Sequence, residues 1–203
     1  MITRSRVRIP GGKLPLGVAD WQLAQPNQPL DVSPFVIDVA EVTVARYLDC
    51  VSAGDCPKLS RPRDLGLPVR GIPPATAETF CRYAGGRLPS VAEWRLAAGG
   101  KEGRRFPWGS TGLVCRRAAF GLLSGPCSTD GDGPDLAGAR PPGATPEGLL
   151  DMSGNVAEWT RDPNGRYRAR GGSYRSRIAV ELVTAAVETV SDNAEHVGFR
   201  CVY

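Results

Sequence analysis

Ala77-Glu78-Thr79-Phe80-Cys81-Arg82-Tyr83-Ala84-Gly85-Gly86-Arg87-Leu88-Pro89-Ser90-Val91-Ala92-Glu93-Trp94 carries two helix signals in succession. Ala75 to Ala84 reads as a helix, with Thr76 as its N-cap and the Gly85-Gly86 pair as its stop. Ser90 then opens a second helix. Its hydroxyl at the N-cap and Glu93 at the third helical position form a capping box, which satisfies backbone N–H groups that a first turn leaves unpaired. Upstream, Val44, Tyr47, Leu48 and Val51 recur at helical spacing behind Glu41-Val42-Thr43. Phe35-Val36-Ile37-Asp38 reads as a short strand, and Val7-Arg8-Ile9 as another that ends in the Pro10-Gly11-Gly12 turn. A Pro-rich stretch from Arg61 to Pro74 separates the first helix from the second.

Downstream the pattern thins. From Gly99 to Pro146 almost nothing is periodic. Irregular segments of that length inside a compact domain are usually functional, or pinned by ions and disulfides. Regularity returns at Gly148 to Trp159, and Tyr167 to Tyr174 reads as a strand and turn. Ile178 to Val190 is apolar and β-branched, suiting one or two strands, and Val197 to Tyr203 reads as a closing strand. With no internal repeat and no linker, residues 1–203 are expected to form a single α+β domain with short elements and long irregular loops.

Composition narrows the function classes. At 41% apolar and 23% charged residues the chain fits a soluble globular domain, and 25 Gly with 18 Pro scattered along it fit a loop-rich one. No stretch approaches the ~20 apolar residues of a membrane-spanning helix. The net charge of +4 comes with Arg104-Arg105, Arg116-Arg117 and the Arg166 to Arg177 stretch. Nucleic-acid binding would need such charges on one face with interleaved aromatics, so a solvated surface is the expectation. Six cysteines accompany one histidine, His196, with neither a Cys-x-x-Cys pair nor a His cluster, so a zinc site is not expected. An even cysteine count at mixed spacings reads as three disulfides, and hence an oxidising compartment. Met1-Ile2-Thr3-Arg4-Ser5-Arg6-Val7-Arg8 lacks the apolar run of a signal peptide. Either the chain is cytosolic with free thiols or it is a mature or trimmed form of an exported, periplasmic or extracellular protein, and the second is the expectation.

Several segments, in order, resemble the formylglycine-generating enzyme (sulfatase-modifying factor) family. They are Phe35-x-Ile37-Asp38-x-x-Glu41-Val42-Thr43, the run Ala77 to Trp94, Phe106-Pro107-Trp108-Gly109, Gly148 to Trp159, Arg170-Gly171-Gly172-Ser173-Tyr174 and Gly198-Phe199-Arg200. The resemblance implies a C-type-lectin-like fold of the sulfatase-modifying-factor type, with little regular structure and calcium-pinned loops. Trp94, Trp108 and Trp159 are expected in the core with their N–H groups bonded inside, and Gly85, Gly171 and Gly172 in turns that need positive φ. The family's oxidase activity uses two cysteines shortly after Gly-Gly-Ser, which hold copper(I) as soft thiolates. Tyr174 to Glu188 contains no cysteine. Ser176, Val180 and Glu181 stand near where the thiols would be, and no cysteine lies between Cys127 and Cys201. Neither copper nor formylglycine-generating activity is expected. A Ser-His-Asp site would have to use His196, no phosphate-cradling glycine loop occurs, and the spacing of Asp38, Glu93 and Glu158 does not argue for an acid–base pair. No catalytic residue is assigned.

Calcium is the cofactor the resemblance implies. It places ligands at the Asp151 side chain, the Gly154 and Val156 carbonyls and the Glu158 side chain, an all-oxygen set suited to a hard cation. The alternative is that Asp151 caps a turn and Glu158 pairs with an arginine. The family's other calcium site is damaged: its asparagine position falls near Ala119, and its aspartate near Asp132. Cys50 and Cys56 flank a short loop and Cys115 and Cys127 a Gly-Pro-containing one, so each pair can close locally. That leaves Cys81 with Cys201, a pairing the resemblance also supports. Two functions follow as expectations. One is a non-catalytic, calcium-stabilised recognition or scaffold module of an exported bacterial protein, binding a protein or carbohydrate. The other is an enzyme of the same family with altered oxidative chemistry that does not use a copper dithiolate.

Overall fold

The computed structural model describes residues 5–14, 30–60, 64–128 and 133–203. Three helices stand among small sheets. Helix α1 (Val44–Ala53) starts on Thr43, whose hydroxyl accepts from Arg46 N, and stops at Gly54 in the left-handed conformation. Helix α2 (Pro74–Tyr83) begins earlier than the expected Thr76 cap. Pro74 occupies its first position, where the missing N–H costs nothing and the ring presets φ, and Thr76 lies inside the first turn. Helix α3 (Val91–Gly99) carries the expected capping box on Ser90 and Glu93.

Strand β1 (Arg6–Ile9) pairs antiparallel with β4 (Phe35–Asp38), and β2 (Gly12–Leu14) with β3 (Leu30–Val32). The second pair went unread in the sequence because three residues are too few to show alternation. A four-stranded sheet holds the second half in the order β7-β6-β5-β8, from β5 (Ala157–Arg161), β6 (Tyr167–Arg170), β7 (Val187–Glu188) and β8 (Val197–Gly198). The β5–β8 pairing is parallel and the others antiparallel. Three expectations shrink here. Ile178 to Val190 yields only the two residues of β7, because Ala179–Leu182 wind into a 3-10 turn capped by Glu181. Gly148 to Trp159 is irregular as far as Ala157. The closing segment is a strand only at Val197–Gly198, with Val202 bridging separately to Ile37 and Arg87.

Three apolar clusters fill the interior. One joins α1 and α2 to the four-stranded sheet through Tyr47, Phe80, Trp159 and Phe199. The second packs α3 on the first strands around Trp94 and Ile37, and the third gathers Phe106, Phe120 and Tyr174 under the irregular middle. Disulfides join Cys50 to Cys56, Cys81 to Cys201 and Cys115 to Cys127, so no cysteine is free. Trp94 and Trp159 are buried and donate to Glu158 and to the Ile72 carbonyl. Trp108 departs from the expectation: it is half-exposed, stacked on Phe106, and its N–H reaches the Thr111 carbonyl. Gly85, Gly171 and Gly172 do adopt positive φ.

Candidate functional site

Asp151 to Glu158 forms a buried, strained loop that runs into β5. Asp151 and Asn155 both hold left-handed φ, 55° and 61°, which aspartate and asparagine tolerate better than other side chains. Between them Gly154 is required, because a β-carbon there would sit 2.5 Å from the Ala119 carbonyl oxygen. Asn155 N donates to that same carbonyl, so Ala119, at the position of the lost second-site ligand, serves the loop through its backbone. Asp132 of that second site lies outside the described residues.

The structure brings three of the loop's side chains, Asp151, Asn155 and Glu158, together with two residues the sequence reading did not assign, Glu41 and Arg200. Glu158 is fully committed on one side. Arg200 donates Nε to its Oε2 at 2.8 Å and Nη2 to its Oε1 at 2.7 Å, and Trp94 Nε1 adds a bond to Oε2 at 2.7 Å. This is the arginine pairing that the alternative reading gave to Glu158. Asp151 Oδ2 accepts from Gly138 N at 2.6 Å, and its carboxylate faces that of Glu41. Asn155 Nδ2 donates to Glu41 Oε1 at 3.1 Å, whereas Asn155 Oδ1 and Glu41 Oε2 are buried without a donor. Val156 is buried at the loop's end.

Three carboxylates thus share one guanidinium away from water. Burial, and then the neighbouring Asp151 carboxylate, push the Glu41 carboxyl well above the ordinary range against the pull of Arg200. Burial likewise raises Asp151, opposed by the Gly138 N–H. Such a site wants either a proton or a cation. Its remaining oxygens are hard donors, and orphaned buried acceptors are what a bound cation would satisfy, so calcium fits the pocket. Among the described residues no three Asp, Glu, His or Cys side chains are close enough to form a metal cluster alone, so backbone carbonyls and Asn155 would have to complete the set.

The loop also supports a cleft. Gly154 N donates to Gly171 O, Tyr174 N to Asn155 O, and Ser153 Oγ to Leu182 O. Gly171 lines one wall of an open cleft of about 610 Å³, and Leu182 directly follows Glu181 of the other; Ser173, Arg175, Ser176 and His196 are also among its lining. His196 Nε2 lies 3.1 Å from Glu188 Oε1 at its rim. Ser173 and Ser176 hydroxyls accept from backbone N–H groups of Arg175 and Ser173.

The model of the "Sulfatase-modifying factor enzyme 1-like domain" matches residues 2–203. The chain belongs to that family. Hercynine oxygenase of Mycolicibacterium smegmatis is 30% identical over 207 residues, covering 80% of this chain and 46% of that protein. Inactive C-alpha-formylglycine-generating enzyme 2 of Mus musculus is 31% identical over 155 residues, covering 68% and 49%. The chain thus spans about half the length of these curated relatives. PvdO from Pseudomonas aeruginosa shares the fold, with a TM-score of 0.71 over 97% of this chain and 93% of that one at 16% identity. This sulfatase-modifying-factor domain therefore has relatives named as oxygenase and as inactive. Among its own residues, Ser176, Val180 and Glu181 line or border the cleft after Gly-Gly-Ser, and every cysteine is tied in a disulfide elsewhere.

Proposed function

We propose that this domain is a non-catalytic, calcium-stabilised recognition or scaffold module derived from the formylglycine-generating enzyme fold. The observation that carries the reading is the cleft beside Gly171-Gly172-Ser173. It presents hydroxyls, two carboxylates and guanidinium groups, and the chain has no free thiol to supply it. Copper(I) has no soft ligand pair there, and a substrate cysteine has no partner thiol. What the cleft retains is a recess held at both walls by the calcium loop, which is a frame for binding a protein or carbohydrate rather than for oxidation. Calcium at the Asp151 to Glu158 loop would replace the missing counter-charge and fix both walls at once.

A second reading is an enzyme with altered oxidative chemistry, favoured by the likeness to hercynine oxygenase over four-fifths of the chain. The chain's one histidine, His196, stands at the cleft rim and is already held against Glu188.

The deciding experiment incubates the protein with a sulfatase-type cysteine peptide, copper and oxygen, and reads the peptide by mass spectrometry. No formylglycine is expected. Conversion of the cysteine would overturn the proposal.

A further inference from the structure

We propose that Arg175, together with the Ser176 hydroxyl, forms a carboxylate-binding subsite in the cleft, with Tyr174 as the residue that positions its guanidinium. The proposal rests on the recognition reading and deepens it by naming the chemistry of the group the cleft receives. Residues 173–176 form one tight turn. Ser176 N donates to Ser173 O at 2.9 Å, Ser173 N to Ser176 Oγ at 3.1 Å and Arg175 N to Ser173 Oγ at 3.2 Å. Arg175 and Ser176 thus join the cleft lining from adjacent positions of a braced backbone. The Ser176 hydroxyl acts as an acceptor within the turn and keeps its own O–H to donate.

Arg175 is exposed, yet its side chain is held from behind. Its Nε donates to Tyr174 Oη at 3.1 Å, and its guanidinium lies 5.5 Å from the Tyr174 ring centroid. Tyr174 is itself 1% exposed. Arg70 Nη1 donates to the same phenol oxygen at 3.3 Å and to the Glu195 carbonyl at 2.7 Å. With Nε spent, Nη1 and Nη2 of Arg175 have no partner among the described residues. The neighbouring guanidiniums are committed: Arg170 reaches the Ala185 and Ala186 carbonyls, and Arg177 donates to Ser124 Oγ. A planar pair of N–H groups beside a hydroxyl matches a carboxylate. Glu181 and Glu188 line the same cleft and repel a dianion such as phosphate, whereas Arg175 balances a single negative charge. Val180, Ala185 and Ala186 offer aliphatic surface to the chain that carries the acid. Its source is either a free short-chain acid or a glutamate side chain of a peptide.

The test follows the whole domain by N–H correlation NMR. Butyrate, butyramide, inorganic phosphate or the capped peptide acetyl-Ala-Val-Glu-Val-Ala-amide is titrated to about 50 mM, the range that a single exposed charge-assisted pair reaches. Butyrate should move the Arg175 Nε–H and Ser176 N–H signals. It should bind about tenfold more tightly than butyramide, and more tightly than phosphate. Arg175→Gln should erase the preference for acid over amide. Arg175→Lys should keep only part of it, because a point charge lacks the fork. Tyr174→Phe should weaken butyrate several-fold in the wild-type background and change nothing further in Arg175→Gln, a coupling that a merely structural tyrosine does not give. Peptide binding tighter than butyrate assigns the carboxylate to a peptide side chain, and equal or weaker binding assigns it to a free acid; both support the subsite. No movement of Arg175 with any probe, tighter binding of phosphate, or an acid preference that survives Arg175→Gln overturns it. The recognition reading falls separately, through formylglycine formation on the cysteine peptide.

Discussion

Arg200 uses every hydrogen its guanidinium offers. Nε and Nη2 hold Glu158, Nη1 reaches the Asp38 and Val39 carbonyls at 3.1 and 2.9 Å, and Nη2 also takes the Leu150 carbonyl at 2.7 Å. A planar group with five donors is needed to serve a carboxylate and three carbonyls from one buried point. Lysine offers three donors from a single atom. Arg200→Lys should therefore orphan at least two buried acceptors and cost about 3–5 kcal/mol in urea unfolding, close to what removing a buried ion-pair partner costs. A loss under about 1 kcal/mol would show that water or rearrangement replaces those bonds. The sequence displays this residue without its role. Arg200 stands in Gly198-Phe199-Arg200 and Glu41 in Glu41-Val42-Thr43, and both segments carry the family resemblance. Nothing local says that they converge on Asp151, because the convergence is made by pairing between distant strands. What is legible locally is the loop itself: a Gly between two residues that tolerate positive φ, with carboxylates at either end.

At the scale of elements, the parts that read correctly are those whose stabilising groups are near in sequence. Helix α3 is the clearest. Glu93 N donates to Ser90 Oγ at 3.1 Å, Ser90 N donates back to Glu93 Oε2 at 2.8 Å, and Arg87 binds the same carboxylate at 2.6 and 2.7 Å. Every partner lies within seven residues. Strands β7 and β8 are two residues each and exist only because β6 and β5 supply their bonds, so no local pattern announces them. The β-branched stretch around Ile178 misleads for the same reason, since Glu181 Oε2 accepts from Arg177 N and Ile178 N and winds the chain into a turn. The α3 box yields a pH prediction. Burial raises the Glu93 carboxyl, but the Arg87 bond and the Ser90 N–H outweigh it and hold the group below its ordinary value. A depressed folded value contributes stability above the unfolded value, and that contribution is lost as pH falls through the folded one. Glu93→Gln should thus cost about 1 kcal/mol at neutral pH, with the gap to wild type closing below about pH 4. A gap constant with pH would assign the loss to packing rather than charge.

For the molecule as a whole, the three disulfides divide into two kinds. Cys81 and Cys201 are fully buried and tie α2 to the end of the chain across a separation of 120 residues. Cys115 is exposed, and its bond to Cys127 closes a separation of only 12. In the chain-entropy account the long closure is worth about 4–5 kcal/mol and the short one nearer 3 kcal/mol. Access runs the other way: thiol–disulfide exchange needs an attacking thiolate to reach sulfur, which the solvent-facing Cys115 permits and the interior pair does not. Three such bonds are consistent with an exported protein. The short bond braces the segment that offers Ala119 O to Asn155 N and carries Leu122 N to Tyr174 O, beside both the Asp151 to Glu158 loop and the cleft. Under a mild dithiol reductant, alkylation followed by peptide mapping should label Cys115 and Cys127 first, while Cys81 and Cys201 stay protected until the domain unfolds. The partly reduced protein should keep its fold and lose only a few degrees of Tm, because the buried bond still joins the two halves. Labelling Cys81 or Cys201 at the same rate as Cys115 would mean that the last strand opens in the native state, and that the buried bond is not what holds it.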